Sequence, residues 1–236
     1  LRRARPKPAL EITPKRRTVI AIGDIHFPFE HEPTLAAILN TVKDAQPDVI
    51  IQMGDLYDLY SSSKYPRSHN IMTPREERLL GRAKAEAFWG QIRKISPKST
   101  CYQLFGNHDL RVFKRTLESI PAAEDEIWES LVRHMCFDGV KLCKDFRQPL
   151  IIDGVAYEHG ALKHGTHFLD NGMSTVVAHT HVGGTVHKGN IWELNVGWAG
   201  DNQAQVFDYV RSKLVAKKTT HGVGIVDHLG PRFVPL

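Results

Sequence analysis

Five short stretches of this chain close apolar runs with carboxylates, carboxamides and imidazoles. They are Gly23-Asp24-Ile25-His26, Gly54-Asp55-Leu56-Tyr57-Asp58, Gly106-Asn107-His108-Asp109, Glu158-His159-Gly160 and Ala178-His179-Thr180-His181. Each alone reads as a turn, because Gly, Asn and Asp are ordinary turn residues. Five of them, each at the end of a run such as TVIAI or DVIIQM, point to a shared purpose. Carboxylate oxygens and neutral imidazoles are mixed ligands for borderline divalent metals, and no cysteine is among them. Two such ions about 3.5–4 Å apart can clamp a phosphate and activate the water that attacks it, which calls for a carboxylate able to bridge them. Asp24 and His26 stand two apart, as do His179 and His181. On an extended segment that spacing puts both side chains on one side.

The elements needed to gather these stretches are readable. Arg17 to Gly23, Asp48 to Gly54 and Ser99 to Gly106 are β-branched or apolar runs that read as buried strands. Pro33 to Ala45 carries helical spacing at Leu35, Ile38, Leu39 and Val42. Thr73-Pro74-Arg75-Glu76 is a capping box that opens a helix through about Ile95. Further helical pieces are expected at His108 to Glu118 and Ala122 to Met135. Beyond them strands dominate: Asp153-Gly154 and Gly189-Asn190 mark hairpins, Ser174 to His179 is a buried strand, and the last residues read as a closing pair. Alternation in the first half and strands in the second predict an α/β sandwich of two packed sheets with helices outside. In open α/β sheets ligands bind beyond the carboxyl ends of strands, where distant loops meet.

Composition excludes little but narrows the class. With 42% hydrophobic and 24% charged residues among 236, the chain reads as an ordinary soluble domain with ample core. No apolar run approaches the roughly 20 residues needed to span a bilayer, so no membrane association is expected. No apolar segment follows the basic N-terminus as a secretory signal would require, although the first residue is Leu rather than Met. Three cysteines without CxxC spacing fit a reducing cytoplasm rather than a disulfide framework. Leu1 to Arg17 holds seven Lys/Arg against one Glu, much of the net charge of +5. The expected division is a basic arm, residues 1–16, and one domain, residues 17–236. Such an arm is either a solvated tail or one that tracks phosphates.

Together and in this order, the five motifs resemble the calcineurin-like metallophosphoesterase superfamily, from Val19 to about Val196. The resemblance implies a four-layer αββα sandwich, two packed mixed β-sheets flanked by helices. It implies one metal held by Asp24, His26, Asp55 and His181 and a second by Asp55, Asn107, His159 and His179, with Asp55 bridging. Manganese is the first choice, with iron, zinc and nickel as alternatives. His108 would bind the substrate phosphate and protonate the leaving oxygen, with Asn107 beside it, and Asp109 would orient His108. Lys64 and Arg67, in the polar loop Leu56 to Met72, are candidate cations for the pocket mouth. Tyr57, Tyr60 and Tyr65 either stack on a base or pack the loop onto its own domain.

Some positions depart from the family pattern. Ala178 stands where Gly is usual, and Leu194 to Trp198 lacks the Pro of the usual Asn-Pro-Gly turn. Glu158 reads as a solvent-facing strand residue, and His164 and His167 as rim histidines. His31, His69, His134, His187, His221 and His228 match no motif and read as structural or surface residues. Phe27, Leu59-Tyr60 and Asp109 replace residues that mark the Ser/Thr protein phosphatases, which leaves a compact enzyme similar to small phosphodiesterases. The expected activity is metal-dependent hydrolysis of a phosphodiester, with a nucleotide or nucleic acid as substrate. The alternatives are a phosphomonoesterase and a catalytically silent protein-binding scaffold; the oligomeric state stays open.

Overall fold

A computed structural model describes residues 17–63, 72–161, 165–204, 206 and 219–236. The basic arm, Lys64, Tyr65, Arg67, His69 and His164 lie outside the described residues.

Strands β1 (Val19–Ile22), β2 (Val49–Gln52), β3 (Thr100–Gln103) and β4 (Val140–Leu142) run parallel in one sheet. Its other edge is the antiparallel pair β10 (Gly222–Asp227) and β11 (Gly230–Pro235), giving the order β11-β10-β1-β2-β3-β4. The second sheet contains β5 (Leu150–Ile152), β6 (Val155–Tyr157), β7 (Thr175–Val177), β8 (Gly184–Lys188) and β9 (Ile191–Asn195), in the order β5-β6-β7-β9-β8. It is also mixed, with β6, β7 and β9 parallel. Asp153 and Gly154, which join β5 to β6, both have positive φ, 49° and 74°, as a type I′ hairpin requires.

The apolar runs are continuous because the first sheet is covered on both faces. Ile20, Ile22 and Ile50 pack with Ile38, Val42, Phe88 and Trp89 from α1 (Glu32–Ala45) and α2 (Pro74–Ile95). Their strand neighbours Val19, Ala21, Val49 and Ile51 face the other way and meet Tyr157, Val176, Trp192 and Leu194 of the second sheet. Helices α3 (Arg111–Ser119) and α4 (Glu124–Met135) complete the first helical layer. On the far face of the second sheet lies α5 (His167–Asn171), whose His167 packs on Glu193 of β9. The fold is therefore two mixed sheets between helices, as expected.

The capping box forms as read: Thr73 Oγ1 accepts from Glu76 N–H, and the Glu76 carboxylate accepts from Thr73 N–H. Two elements carry no clear signal in the sequence, β4 and α5. The helix expected from His108 begins at Arg111, because residues 107–110 are a turn. Among the described residues, no helix is long and apolar enough to cross a membrane.

Candidate metal centre

All five motifs lie just past strand ends, on loops that converge at one edge of the two sheets. Asp24, His26, Asp55, Asp109 and His159 are buried, and Asn107, His179 and His181 are partly exposed. The backbone there is not extended, contrary to the same-side argument from two-residue spacing. Asp24, His26, Asp55, His179 and His181 all have φ between 48° and 65°. This left-handed region is uncommon outside Gly and costs of order 1–3 kcal/mol per residue, so surrounding contacts must hold it. Asp24 and His26 still turn to one group of ligand-type atoms, whereas His179 and His181 turn to different ones.

Those contacts can be named. His26 N–H donates to Asp55 O at 3.0 Å, and Phe27 N–H to Leu56 O at 2.8 Å, which fastens the first two loops together. His179 N–H donates to Asp24 Oδ2 at 3.0 Å, and His108 N–H to Asp55 Oδ1 at 2.7 Å. Gly106 must lack a side chain, since a Cβ there would overlap Asp55 Oδ1. Asn195 at the end of β9 holds the last loop by donating to Ala178 O at 3.0 Å and Thr180 Oγ1 at 2.6 Å. Buried Glu77 on α2 accepts from Tyr60 N–H and Ser61 N–H at 2.7 and 2.8 Å, fixing the loop just after Asp58.

Three overlapping groups of ligand-type atoms result among the described residues: Asp24, His26 and His181; Asp55, His159 and His179; and His26, Asp55 and His108. In the first, His181 Nε2 lies 3.4 Å from Asp24 Oδ1 and 3.3 Å from His26 Nε2. In the second, His159 Nε2 lies 3.3 Å from Asp55 Oδ2, 3.0 Å from Asn107 Oδ1 and 3.3 Å from His179 Nδ1. Asp55 joins them, with a carboxylate oxygen within 4.8 Å of nitrogens of both His26 and His159.

The donor chemistry fits cations. His26 Nδ1 sits 2.9 Å from Asp58 Oδ2, so it carries the proton and Nε2 presents a lone pair. His159 Nδ1 sits 3.1 Å from Met53 O, with the same consequence for its Nε2. The lone pairs therefore face other acceptors, and the buried Asp24 Oδ1 has no hydrogen-bond partner. A divalent ion in each cluster would satisfy these atoms. Burial alone would raise the Asp24 and Asp55 carboxylates, but the neighbouring His181 and His159 outweigh it and hold both below the usual range; burial would lower His159, but Asp55 raises it to about 9, so a cation there would displace that proton. Burial lowers His26 and His179, favouring neutral rings.

The structure corrects one sequence expectation at this site. Asp109 does not orient His108; its carboxylate accepts from Tyr57 N–H at 3.0 Å and Gly106 N–H at 2.8 Å, tying the second motif to the third. Burial and the nearby Asp55 push Asp109 up to about 7, against the pull of those donors. Asp58 takes the orienting place: His108 Nδ1 is 3.1 Å from Asp58 O and 3.3 Å from Asp58 Oδ2. Both Asp109 and Asp58 were visible in the motifs, but sequence could not say which loop would fold under His108. Arg111, unnoticed in the sequence, reaches the same spot, with Nη1 on Asp58 O at 2.9 Å and Nη2 on His108 Nε2 at 2.8 Å.

Nearby expectations are revised as well. His167 is not on the rim; it is buried against Glu193 at 3.2 Å and supports the loop before α5. Glu158 is half-buried and accepts from Asn171 Nδ2 at 3.0 Å. Trp198, in the stretch lacking the usual Pro, stacks on His181 with centroids 4.6 Å apart and planes 9° apart. Of the loop tyrosines, Tyr57 and Tyr60 are buried in the domain itself.

The sandwich of two mixed sheets matches the metallophosphoesterase fold, and the Asp/His clusters where its loops meet are candidate sites for divalent metal. The chain belongs to the calcineurin-like phosphoesterase family, whose model matches residues 17–210. It is 24% identical to the Gene 54 protein of Mycobacterium phage D29, over 93% of this chain and 94% of that protein. Among solved structures it is similar to the E. coli phosphoesterase YfcE, with 14% identity, TM-score 0.44, and coverage of 89% of this chain and 88% of that one. A novel archaeal phosphodiesterase gives 12% identity, TM-score 0.45, and coverage of 93% and 99%.

Proposed function

We propose that this chain hydrolyses phosphodiesters, with a nucleotide or nucleic acid as substrate, using two divalent cations of which manganese is the first candidate. Asp24, His26, Asp55 and His181 would hold one ion, and Asp55, Asn107, His159 and His179 the other. The observation that carries the reading is Asp55, whose carboxylate lies between the two clusters. When bound, the ions supply the positive charge that polarises the phosphate and lowers the pKa of the attacking water.

The protein's own groups do the rest. His108 lies 3.9 Å from Asp55 Oδ2 and Arg111 lies against His108, where a phosphate between the clusters would present its remaining oxygens. Arg111 offers N–H donors to an ester oxygen, and a guanidinium suits phosphate because its donors form a planar fork. His108 lends a proton to the departing oxygen, and Asp58 fixes its ring. Burial and the adjacent Arg111 would lower His108, but the Asp55 and Asp58 carboxylates outweigh them and raise it; the Nε2 proton becomes available once Arg111 turns from that nitrogen to the phosphate.

The test is Asp55→Ala, with metal content and turnover of bis-p-nitrophenyl phosphate measured on one preparation. Loss of at least one ion per chain and of activity is expected, because without the carboxylate two ions repel. Two retained ions with normal turnover would sink the assignment.

A further inference from the structure

A cavity of about 310 Å³ opens directly off the candidate metal centre, and Asn107 and His159 belong to both. The third-motif loop and α3 form one side, and the stretch before β5 together with α5 forms the other. Phe105 and Phe146 make an aromatic wall, with centroids 6.5 Å apart and both backed by Trp128 at 5.4 and 5.7 Å. Among the described residues, the carboxylates Asp145, Glu158 and Asp170 line the cavity against one lysine, Lys114, and two histidines, His159 and His167.

Each feature restricts the occupant. The volume is at the small end of the roughly 300–1,000 Å³ typical of small-molecule sites, so one compact group fits. Glu158 is half-buried and Asp145 and Asp170 are exposed, so their repulsion of a further phosphate is of one sign though screened by solvent. They accept hydrogen bonds from hydroxyl or amino groups, and Phe146 offers an aromatic surface, with the Arg147 guanidinium 5.5 Å from its ring centroid. A group that is neutral, rich in donors and partly planar, and that is attached to a phosphorus at the metal centre, has the chemistry of a nucleoside.

We propose that this cavity binds the nucleoside substituent of a nucleotide ester, the base against Phe146 and its donors toward the carboxylates. The proposal rests on the phosphodiesterase reading above and narrows it. A continuous nucleic-acid strand is disfavoured, because its next phosphate would fall among Asp145, Glu158 and Asp170.

Two measurements on the full chain with Mn²⁺ test it. The first compares kcat/KM for p-nitrophenyl thymidine 5′-phosphate and methyl p-nitrophenyl phosphate, which share a leaving group. The thymidine ester is expected to be better by about tenfold, the scale of one base–aromatic stack, and Phe146→Ala should erase that preference while sparing the methyl ester. The second needs no turnover. Cys143 lines the cavity, Cys101 is buried and Cys136 is exposed, so a Cys136→Ser background leaves Cys143 as the reactive thiol. Thymidine at about four times its Kd should slow Cys143 alkylation about fivefold.

Equal rates on the two esters with no protection overturn the proposal, as does a Phe146→Ala variant that slows both esters alike. Protection of Cys143 without hydrolysis of either ester overturns the phosphodiesterase reading and supports the cavity's assignment.

Discussion

Arg111 donates from Nη2 to His108 Nε2 across 2.8 Å, while the opposite ring nitrogen rests on Asp58. Arginine has no acceptor, so His108 Nε2 must be a lone pair and Nδ1 carries the proton. In this arrangement His108 cannot give a proton to a leaving group through Nε2. A phosphate that draws Arg111 onto its own oxygens removes that donor and lets the Asp55 and Asp58 carboxylates favour a protonated ring. On the proposed function, Arg111 would thereby couple substrate binding to the availability of the acid.

Replacing Arg111 tests this coupling. Arg111→Ala should lower kcat/KM on phosphodiesters by about 10- to 100-fold, the value of one or two charge-assisted hydrogen bonds, with metal content unchanged. Arg111→Lys should recover only part, since an ammonium lacks the planar fork. Steady-state kinetics with metal analysis decide it; full activity in Arg111→Ala would remove Arg111 from the site.

His108 separates catalysis from metal binding. His108→Ala should keep both ions, because the Asp24–His26–His181 and Asp55–His159–His179 groups form without its ring; loss of an ion would instead make the His26–Asp55–His108 group a metal site. Its rate should fall by about 10²–10⁴-fold when the departing oxygen is a nucleoside alkoxide. The loss should be much smaller for p-nitrophenolate, which departs without a proton. Equal losses on both would make His108 a phosphate-binding residue only.

Glu77 lies on α2 and touches no candidate ligand, yet it anchors the backbone at Tyr60 and Ser61. Glu77→Ala should destabilise the fold by about 2–4 kcal/mol, because it leaves two buried N–H groups unmet. Urea denaturation measures that cost. Activity should also fall, because Asp58 and hence His108 lose their support; a stable variant with unchanged activity would contradict the anchoring role.

Gly23 and Ala178 form a coupled pair. A Cβ on Gly23 would lie 2.9 Å from the Ala178 methyl and 2.7 Å from Val196 Cγ2. Gly23→Ala should therefore cost about 1–3 kcal/mol by overpacking. Adding Ala178→Gly should restore part of the loss, the Val196 contact remaining, with a coupling energy of about 0.5–3 kcal/mol. Thermal or denaturant melts of the four proteins give the cycle; strict additivity would show that the methyl is not the obstacle.

Much of the fold was legible in the chain because both faces of the first sheet are buried, which turns its strands into unbroken apolar runs ending at polar motifs. The hairpin at Asp153-Gly154 and the cap at Thr73 were legible because local chemistry alone decides them. The ligand-type residues were legible as types, and the structure brings all seven together. Their geometry was not: five adopt left-handed backbone that tertiary contacts impose, and two-residue spacing implied an extended chain instead. The exchange of Asp109 for Asp58 beneath His108 was hidden for the same reason, since it depends on how two loops distant in sequence nest. Short β4 and α5 lack enough residues to show a period.

The stacking of Trp198 on His181 gives the protein an optical gauge of its own occupancy. An indole 4.6 Å from the His181 ring shares its immediate surroundings with whatever ion that ring holds. Its emission should therefore respond to loading, most strongly for a paramagnetic ion that quenches nearby excited states. The chain has four tryptophans, so the signal is isolated by difference against Trp198→Phe. Ion affinity at the first cluster becomes readable without substrate, product or turnover.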